Sequence, residues 1–521
     1  MRYGLAAAVL VAAALAATVA GGSVKVSGQH ALFGDSAPTG NRSGFGGALE
    51  WVGGMGAIDG NVSTRTLAVG SPLDSTLAEH AGAITVAVVD AGGLPIRQHR
   101  IIDPSGSPGD AFGSALAWIG EDLNGDSKLN ELAVGAPGRG SQGAVVILSL
   151  GSNGSASTLA VIEPGDGAAL GFGSVLAWIP RDLDGDGFMA QMLVAAPQSH
   201  SGDAFVFSVV FNDTGGVRSI RSHNLGAAGD DSGTAVALAV MARDVDGNVS
   251  TAEILVGVPS ATAPGNVTHA GAVHLLSVDA FGQFVSDQPL SASSTPVTGQ
   301  RYGCSVAWTA ADLDSDPWTS EAAVASCPAW PQNSSVSVIS ISQSGSAWET
   351  ASWSLSEPLA GPTLPMGWSD IDVDGDGAIN DLLVGSPSAP GGGSIKVFSV
   401  DLYEGAKLTG SIEAGTSGLP ANATTGGMLL GAVLARPVLA GNLVATAFRD
   451  HADQDAVMVL ALDNRTRSPA GSNCSDGACP PMNCSGGACP PMNCSGGACP
   501  PMNCSGGACP PMNCSGGRAR R

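Results

Sequence analysis

Acidic side chains at alternate positions are the feature of this sequence that could do chemistry. Five polar loops carry aspartate, asparagine or glutamate at similar offsets. Carboxylates crowded around a tight turn repel one another unless a cation lies between them. The candidate metal ligands are Asp122, Asn124, Asp126 and Glu131; Asp182, Asp184 and Asp186; Asp244, Asp246, Asn248 and Glu253; Asp312, Asp314, Asp316 and Glu321; and Asp372, Asp374, Asp376 and Asp381.

The donor atoms of these loops indicate which ion they would hold. No cysteine or histidine lies in them, so they do not suit zinc, whereas a hard divalent ion with about six to eight oxygen ligands fits. We therefore predict calcium as the cofactor. The alternative is a set of solvated acidic turns, because Asp, Asn and Gly also favour ordinary turns. Five loops in the same register favour the ion.

The loops lie inside a longer repeat whose parts keep one order. An aromatic residue comes six positions before a tryptophan, and Trp368 keeps this register without its aromatic partner. After the loop, an apolar run ends in a turn such as Gly135-Ala136-Pro137, and a strand of alternating pattern follows. The aromatic pairs are Phe45 with Trp51, Phe112 with Trp118, Phe172 with Trp178, and Tyr302 with Trp308.

The alternating strand occurs seven times, at roughly 60-residue intervals, which is enough chain for a four-stranded antiparallel sheet. One such sheet cannot bury both faces, so the copies must stack, and radial closure buries each against two neighbours. We predict an all-β fold, a seven-bladed β-propeller of four-stranded antiparallel blades, with the recurring Phe and Trp packed between blades. An open solenoid is the alternative.

The combined motifs resemble the FG-GAP repeats of integrin alpha subunits, over roughly residues 31–465. They are Phe112-Gly113, the Asp-x-Asp-x-Asp-Gly loop at 182–187, and Gly135-Ala136-Pro137. The resemblance implies a seven-bladed propeller, calcium loops on one face that brace the blades, and partner contacts on the opposite face. The closing acid, such as Glu131, lies one position later than is usual in the family. The leg domains, membrane span and cytoplasmic tail of an integrin alpha chain are not expected here.

The seven copies differ in their ligands. Blade one offers Asp59, Asn61 and Ser63, with Ala57 in the first position, and blade seven offers no such set. Both are therefore expected to lack the ion. Blade three has Gln191 in place of the closing acid, and an amide is a weaker ligand than a carboxylate.

Charge and composition limit the class of partner. The formal net charge of −23 argues against nucleic acid, because phosphate binding needs a basic surface. The 74 Gly and 32 Pro residues, with 13% charged residues, favour many short strands joined by turns over a helical protein.

The first residues have the pattern of a secretory signal. Arg2 precedes an apolar run from Leu5 to Ala17, and small residues end the segment. We predict a signal peptide at 1–20, a propeller domain at 21–467 and a tail at 468–521, with no transmembrane span in the mature chain; a membrane anchor at the start is the alternative. Export as a glycoprotein is consistent with Asn-x-Ser/Thr triplets at Asn41, Asn61, Asn153, Asn212, Asn248, Asn266, Asn333, Asn422 and Asn464.

Cysteines occur in two contexts. Cys304 and Cys327 flank the blade-five loop symmetrically, which predicts a disulfide across a hairpin, with two buried free thiols as the alternative. From Asn473 the chain repeats Asn-Cys-Ser-Gly-Gly-Ala-Cys-Pro-Pro-Met and carries nine cysteines, an odd number. We expect a low-complexity, Cys-rich spacer that forms intermolecular disulfides; soft-metal binding is the alternative.

The expected function is extracellular binding or cell adhesion, with a protein or glycan ligand at the cell surface or in the extracellular matrix. An enzyme is not expected, although Gly229–Gly233 contains Asp-Ser-Gly, as in the nucleophile segment of serine proteases. Ser232-Gly233 stands in register with the Phe-Gly pairs, and no histidine motif accompanies it. The alternative function is that of a structural wall or matrix protein cross-linked through its tail.

Overall fold

A computed structural model describes most of the chain between Val26 and Leu462 and four short stretches of the tail. The described residues are 26–33, 43–53, 58, 60–61, 63–165, 167, 169–199, 202–227, 236–241, 244–263, 265–290, 296–314, 316, 318–328, 332–355, 363–386, 394–401, 405–413, 434–435, 443–449, 455–462, 483–485, 493–495, 503–505 and 513–515. None of them is helical. The chain forms two compact units, one of residues 1–374 with 379–463, the other of residues 375–378 with 464–521.

The first unit begins with β1 (Val26–Phe33) and continues with six four-stranded sheets, here called blades one to six. In each blade four strands pair antiparallel in chain order. Blade one contains β2 (Leu49–Val52), β3 (Thr64–Ser71), β4 (Ala83–Asp90) and β5 (Pro95–Ile101); blade two contains β6 (Leu116–Ile119), β7 (Glu131–Ala136), β8 (Ala144–Leu150) and β9 (Ala156–Ile162).

Blade three is accompanied by a separate pair of short strands, β10 (Ala169–Leu170) and β13 (Gln198–Ser199). Its own strands are β11 (Val175–Ile179), β12 (Gln191–Ala196), β14 (Asp203–Phe211) and β15 (Val217–Ala227). Blade four contains β16 (Ala237–Val240), β17 (Thr251–Val258), β18 (Ala272–Asp279) and β19 (Phe284–Leu290). Blade five contains β20 (Tyr302–Trp308), β21 (Thr319–Ser326), β22 (Ser335–Ser342) and β23 (Ala347–Ser354); blade six contains β24 (Met366–Trp368), β25 (Asp381–Ser386), β26 (Ser394–Asp401) and β27 (Gly405–Glu413).

A further four-stranded sheet joins the two ends of this unit, and we call it the closing sheet. It contains β28 (Leu434–Ala435), β29 (Leu443–Arg449), β30 (Asp455–Leu462) and β1, in the order β28-β29-β30-β1. The register pairs Leu32 with Val457, so β1 completes a sheet whose other strands are the last three described strands of this unit. All seven predicted alternating segments are strands, the third in each blade and β30 in the closing sheet.

The sheets are arranged as a β-propeller. First strands contact one another in chain order, from β2 to β6, β11, β16, β20 and β24, and β28 contacts both β24 and β2. Apolar clusters fill the spaces between adjacent sheets; one of them joins Ile119 of blade two to Phe172 and Met192 of blade three. Burying each such side chain contributes about 1.5 to 3 kcal/mol, so the stacking of sheets is the main source of stability.

The repeated glycine motifs lie where neighbouring blades touch. The N–H of Gly113 donates to the carbonyl of Gly135 in the same blade (2.9 Å). A Cβ at Gly135 would lie 2.0 Å from the carbonyl oxygen of Gly173 in blade three, so only glycine permits this approach. Phe172 forms a parallel bridge to Gly143 of blade two, and its ring is fully buried. The predicted packing role of the aromatic residues between blades is confirmed here.

In the second unit the described part of the tail consists of β31 (Asn483–Ser485), β32 (Asn493–Ser495), β33 (Asn503–Ser505) and β34 (Asn513–Ser515). β31 pairs in parallel with β33, and β32 with β34. Alternate decapeptides therefore pair in register, with Cys484 opposite Cys504 and Cys494 opposite Cys514.

Candidate metal loops

Each candidate loop connects the first and second strands of a blade, and we call these the carboxylate loops. Trp118 pairs with Leu132, and Trp308 pairs with Ala322; the residue just before this partner is the closing residue of the loop. Blade four keeps the register with Val240 opposite Ile254. The closing residues are Thr66, Glu131, Gln191, Glu253, Glu321 and Asp381, each at most 2% exposed.

The first aspartate of a loop organises the turn. Asp122 Oδ1 accepts the backbone N–H of Gly125 (2.7 Å), and Oδ2 accepts that of Ser127 (2.6 Å). Asp182 accepts the N–H groups of Gly185 and Gly187 in the same way (2.8 Å each). The N–H of Gly187, with others, holds the pKa of Asp182 below its usual range. Burial opposes this effect at Asp122, but the backbone N–H groups still lower its pKa.

The pKa values of the closing glutamates are shifted in the opposite direction, upwards. Burial, together with the charges of the loop aspartates, raises the pKa of Glu131, Glu253 and Glu321 to about 7 in each case. Each of these loops thus combines exposed or half-buried aspartates with a buried carboxyl group that resists ionisation. A cation beside the buried group would reverse that balance, because it stabilises the ionised form.

Four loops that lie wholly in the first unit bring three acidic residues close enough to hold one metal ion. In each cluster the ligand oxygens all lie within 4.8 Å of one another, a spacing compatible with a hard cation that binds oxygens at about 2.3 to 2.6 Å. The clusters are Asp122, Asp126 and Glu131; Asp182, Asp184 and Asp186; Asp244, Asp246 and Glu253; and Asp312, Asp314 and Glu321.

In these four loops, three predicted ligands lie outside the acidic clusters. Asn124 turns its amide nitrogen to Glu131 Oε1 (2.8 Å), so its oxygen faces away from the buried acid. Asn248 Oδ1 accepts the N–H of Ser250 (3.2 Å), and Asp316 Oδ1 accepts that of Trp318 (3.0 Å). These three side chains shape the turns in the arrangement described here.

Blade five supplies the sharpest test of whether an ion fits. Glu321 Oε1 is buried and has no hydrogen-bond partner among the described residues. The Thr319 hydroxyl bonds to Asp314 (3.1 Å to Oδ1), which fixes that carboxylate in the same cluster. An unpartnered buried carboxylate oxygen costs several kcal/mol unless something compensates it. An all-oxygen donor set with one such atom fits a hard divalent cation.

Blade three differs at its closing position. The Gln191 amide nitrogen donates to the carbonyl oxygen of Asp279 in blade four (2.6 Å). Asp182, Asp184 and Asp186 form a cluster, but all three are exposed and no buried carboxylate joins them. The buried closing side chain of this loop is therefore neutral.

Blade one has a closing residue that the sequence patterns did not single out. Thr66 Oγ1 accepts the N–H of Ile58 (3.2 Å), as Glu253 accepts that of Val245 (3.4 Å) in blade four. A neutral hydroxyl thus occupies the position of the acid. The cross-strand register with Trp51 would have identified this residue, because Trp51 pairs with Leu67. Asp59 lies outside the described residues.

In blade six, Asp372 and Asp381 are both buried, and Asp381 Oδ2 accepts the N–H of Val373 (2.7 Å). Residues 375–378 belong to the second unit, where Asp376 accepts the N–H of Ala378 (2.7 Å). The blade-six acids of the first unit thus repeat the combination of a loop aspartate with a closing acid.

The predicted disulfide is confirmed. Cys304 and Cys327 are bonded, with their Cα atoms 6.0 Å apart. They are not a direct cross-strand pair, because Tyr302 pairs with Ser326 and a bulge follows before Ser305. The bridge therefore joins the bulge of β20 to the residue just after β21, across the strands that carry the blade-five loop.

Some predictions fall outside the described residues. They include the signal peptide at 1–20, Ser232-Gly233, and the tail apart from its four strands. Within the described part of the chain, no helix has the length and apolar character needed to cross a membrane.

Comparison with known proteins adds little to this geometry. No protein-family model matches the chain, and no curated protein matches it significantly. Among solved structures, a proposed 6-phosphogluconolactonase from Bacteroides uniformis has 12% identity over 77% of this chain and 96% of its own, with a TM-score of 0.42. Drosophila Semaphorin 1b, extracellular domains 1–2, has 8% identity over 85% and 88%, with a TM-score of 0.42. Likenesses of this size carry no argument about function.

Proposed function

We propose that this protein is a secreted, calcium-stabilised propeller of the integrin-alpha type that binds an extracellular protein or glycan ligand in adhesion. The observation that carries the calcium part is the buried Glu321 carboxylate, whose Oε1 is unpartnered beside the loop aspartates of blade five. The same combination of loop aspartates and a buried closing acid recurs in blades two and four.

Calcium is the ion that this donor set favours. The clusters offer only carboxylate oxygens, and neighbouring carbonyls and water would complete a shell of about six to eight ligands. Asp312, Asp314 and Glu321 would hold the ion in blade five, and Asp122, Asp126 and Glu131 would hold it in blade two. Each ion would link an exposed turn to a buried strand and so brace the blade.

The closing sheet is proposed as the seventh blade. Support comes from its place in the ring, since β28 contacts the first strands of both blade six and blade one. Apolar residues of β30 are shared between two clusters, with Val457 packing towards blade one and Met458 towards blade six. A ring closed by both ends of the domain removes the free edges that an open array would expose.

The calcium proposal is tested by calorimetric melting of the full chain with calcium and after chelation. Ligand linkage at about one hundred times Kd contributes about 2.7 kcal/mol per site, so chelation should lower the midpoint markedly. Magnesium at equal concentration is the control, because it accepts these flexible sites poorly. An unchanged midpoint on chelation would falsify structural calcium.

The binding proposal needs a separate experiment. Surface-displayed protein should bind cells, matrix or glycans in calcium and release them on chelation. A variant with Glu321 replaced by glutamine should need a higher calcium concentration for the same binding. If the wild-type protein captures no ligand in the presence of calcium, the adhesive role is contradicted.

The second candidate is a structural matrix protein joined through its tail. It is favoured by the nine cysteines of the tail, because an odd number cannot all pair within one chain. Electrophoresis of the native protein without reductant separates the two functions. A ladder of covalent multimers supports the matrix role, and a single monomer band excludes it.

A further inference from the structure

One closing acid has a partner that the others lack. Arg181 Nη1 lies 3.2 Å from Glu253 Oε2, and the two side chains are only 13% and 1% exposed. Arg181 follows β11 of blade three and immediately precedes Asp182, whereas Glu253 belongs to β17 of blade four. The ion pair therefore crosses the junction between the two blades.

The closing glutamates of blades two and five have neutral partners or none. Glu131 accepts the Asn124 amide (2.8 Å) and the N–H of Asn130 (3.1 Å). Glu321 keeps its unpartnered Oε1. No basic side chain among the described residues reaches either carboxylate. Lys128 of blade two contacts Asp126 at the exposed end of its loop.

The remaining contacts of Glu253 provide hydrogen-bond donors to both of its carboxylate oxygens. Oε1 accepts the Thr251 hydroxyl (3.2 Å), and Oε2 accepts the N–H of Val245 (3.4 Å) as well as Arg181. A guanidinium is permanently charged, planar and weakly hydrated, which suits it to a buried ion pair. A divalent ion on Glu253 would lie close to this positive charge and would have to displace it.

A second contact joins the same two blades without an ion. The Gln191 amide of blade three donates to the Asp279 carbonyl of blade four (2.6 Å). Two side chains of blade three thus contact blade four: the closing residue Gln191, and Arg181, which precedes the loop. At this junction direct contacts of two side chains therefore link the blades, in place of a calcium-bound loop.

We propose that Arg181 is a built-in cation that fills the blade-four site from blade three, so that this junction is held without calcium. The inference rests on the calcium-stabilised function proposed above and refines it. The Asp244, Asp246 and Glu253 cluster is then a metal site only when Arg181 is removed, whereas the clusters of blades two and five bind calcium directly.

The first test counts bound ions in the full chain by isothermal titration with calcium and by terbium luminescence. R181Q should bind one more ion per chain than the wild type, and R181Q/E253Q should lose that additional ion. R139Q is the matched control, because Arg139 forms a comparable inter-blade pair with Asp103 (2.5 Å), and Asp103 belongs to none of the acidic clusters. It should leave the number of ions unchanged.

A second comparison does not depend on R181Q folding. In the wild-type background, E253Q should leave the number of bound ions unchanged, whereas E321Q should remove one. The proposal is overturned if E253Q removes an ion, or if R181Q binds calcium as the wild type does. Wild-type protein that binds no ion would instead refute calcium stabilisation, and the role of Arg181 would then stand only if R181Q gained an ion.

Discussion

The carboxylate loops of blades three and five differ in the chemistry of their buried closing position. Both carry aspartates at alternate positions, but the closing residue is Gln191 in blade three and Glu321 in blade five. The amide nitrogen of Gln191 bonds directly to blade four. Both residues keep a buried Oε1 without a hydrogen-bond partner among the described residues, but that atom belongs to a neutral amide in blade three and to a carboxyl group in blade five. The comparison teaches that the buried closing residue, more than the number of loop aspartates, decides whether a loop needs an ion.

Exposure to solvent explains why the loop aspartates alone do not decide whether a loop needs an ion. Asp182, Asp184 and Asp186 are all exposed, so water and salt screen their mutual repulsion. Glu321 is almost fully buried and cannot be screened in this way. Blade three therefore corresponds more closely to the solvated acidic turn, and blade five to the metal site.

The disulfide is another difference between the two blades, and its removal should have the largest effect. Replacing Cys304 and Cys327 by alanine releases a loop closed over 23 residues and should cost about 3 kcal/mol. Urea denaturation in calcium measures the loss. If the double variant still gains stability from calcium, the ion and the disulfide act independently; a complete loss of the calcium response would mean that the disulfide builds the site.

Replacing Glu321 by glutamine should make blade five behave like blade three. After removal of calcium, E321Q should be more stable than the wild type at pH 8 by roughly 2 to 3 kcal/mol, because a buried charge disappears. In calcium the order should reverse, because the ion loses a ligand. Chemical denaturation with and without calcium detects this reversal in the order of stability. If E321Q is destabilised equally in both conditions, the prediction is wrong.

The same residue predicts a pH dependence in calcium-free protein. Burial raises the pKa of Glu321 from 4.5 to about 7, so the folded state binds its proton more tightly than the unfolded state does. The cost of ionising it is complete above about pH 7 and vanishes below about pH 4.5, so stability should rise as the pH falls through this window. E321Q should flatten the rise, while replacing Gln191 by asparagine should not.

The reverse exchange, Q191E, should create a calcium dependence in blade three. The variant loses the bond to Asp279, worth about 1 kcal/mol, and buries a new carboxylate. It should therefore be less stable than the wild type after chelation and should recover when calcium is added. Titration should count one more ion, and an unchanged ion count would show that the closing position is not sufficient.

The smallest effect is expected at an exposed aspartate. D184N should change stability by no more than about 0.5 kcal/mol with or without calcium, because Asp184 lies in solvent. D314N is the matched variant in blade five, where Asp314 bonds to Thr319 beside Glu321, and it should weaken the calcium response. Melting curves of the two variants, recorded with and without calcium, measure how much each substitution reduces the calcium response.

Much of the architecture could be predicted from local spacing. The third strands were predicted because alternation over eight residues or so is a local pattern, and the Phe and Trp positions repeat with it. The loop aspartates follow from the same repeat, as does the Cys304–Cys327 disulfide, since the two residues flank one hairpin. These features depend on residues that are close in sequence.

The sequence by itself thus determined the blades, the acidic turns and the all-oxygen chemistry of the loops. Only the tertiary structure decided that β1 completes the closing sheet, that Thr66 occupies a closing position, that the Gln191 amide reaches Asp279, and that Arg181 reaches Glu253. The physical reason is distance along the chain. Burial and charge pairing between blades depend on residues many tens of positions apart, and no local period records which of them meet.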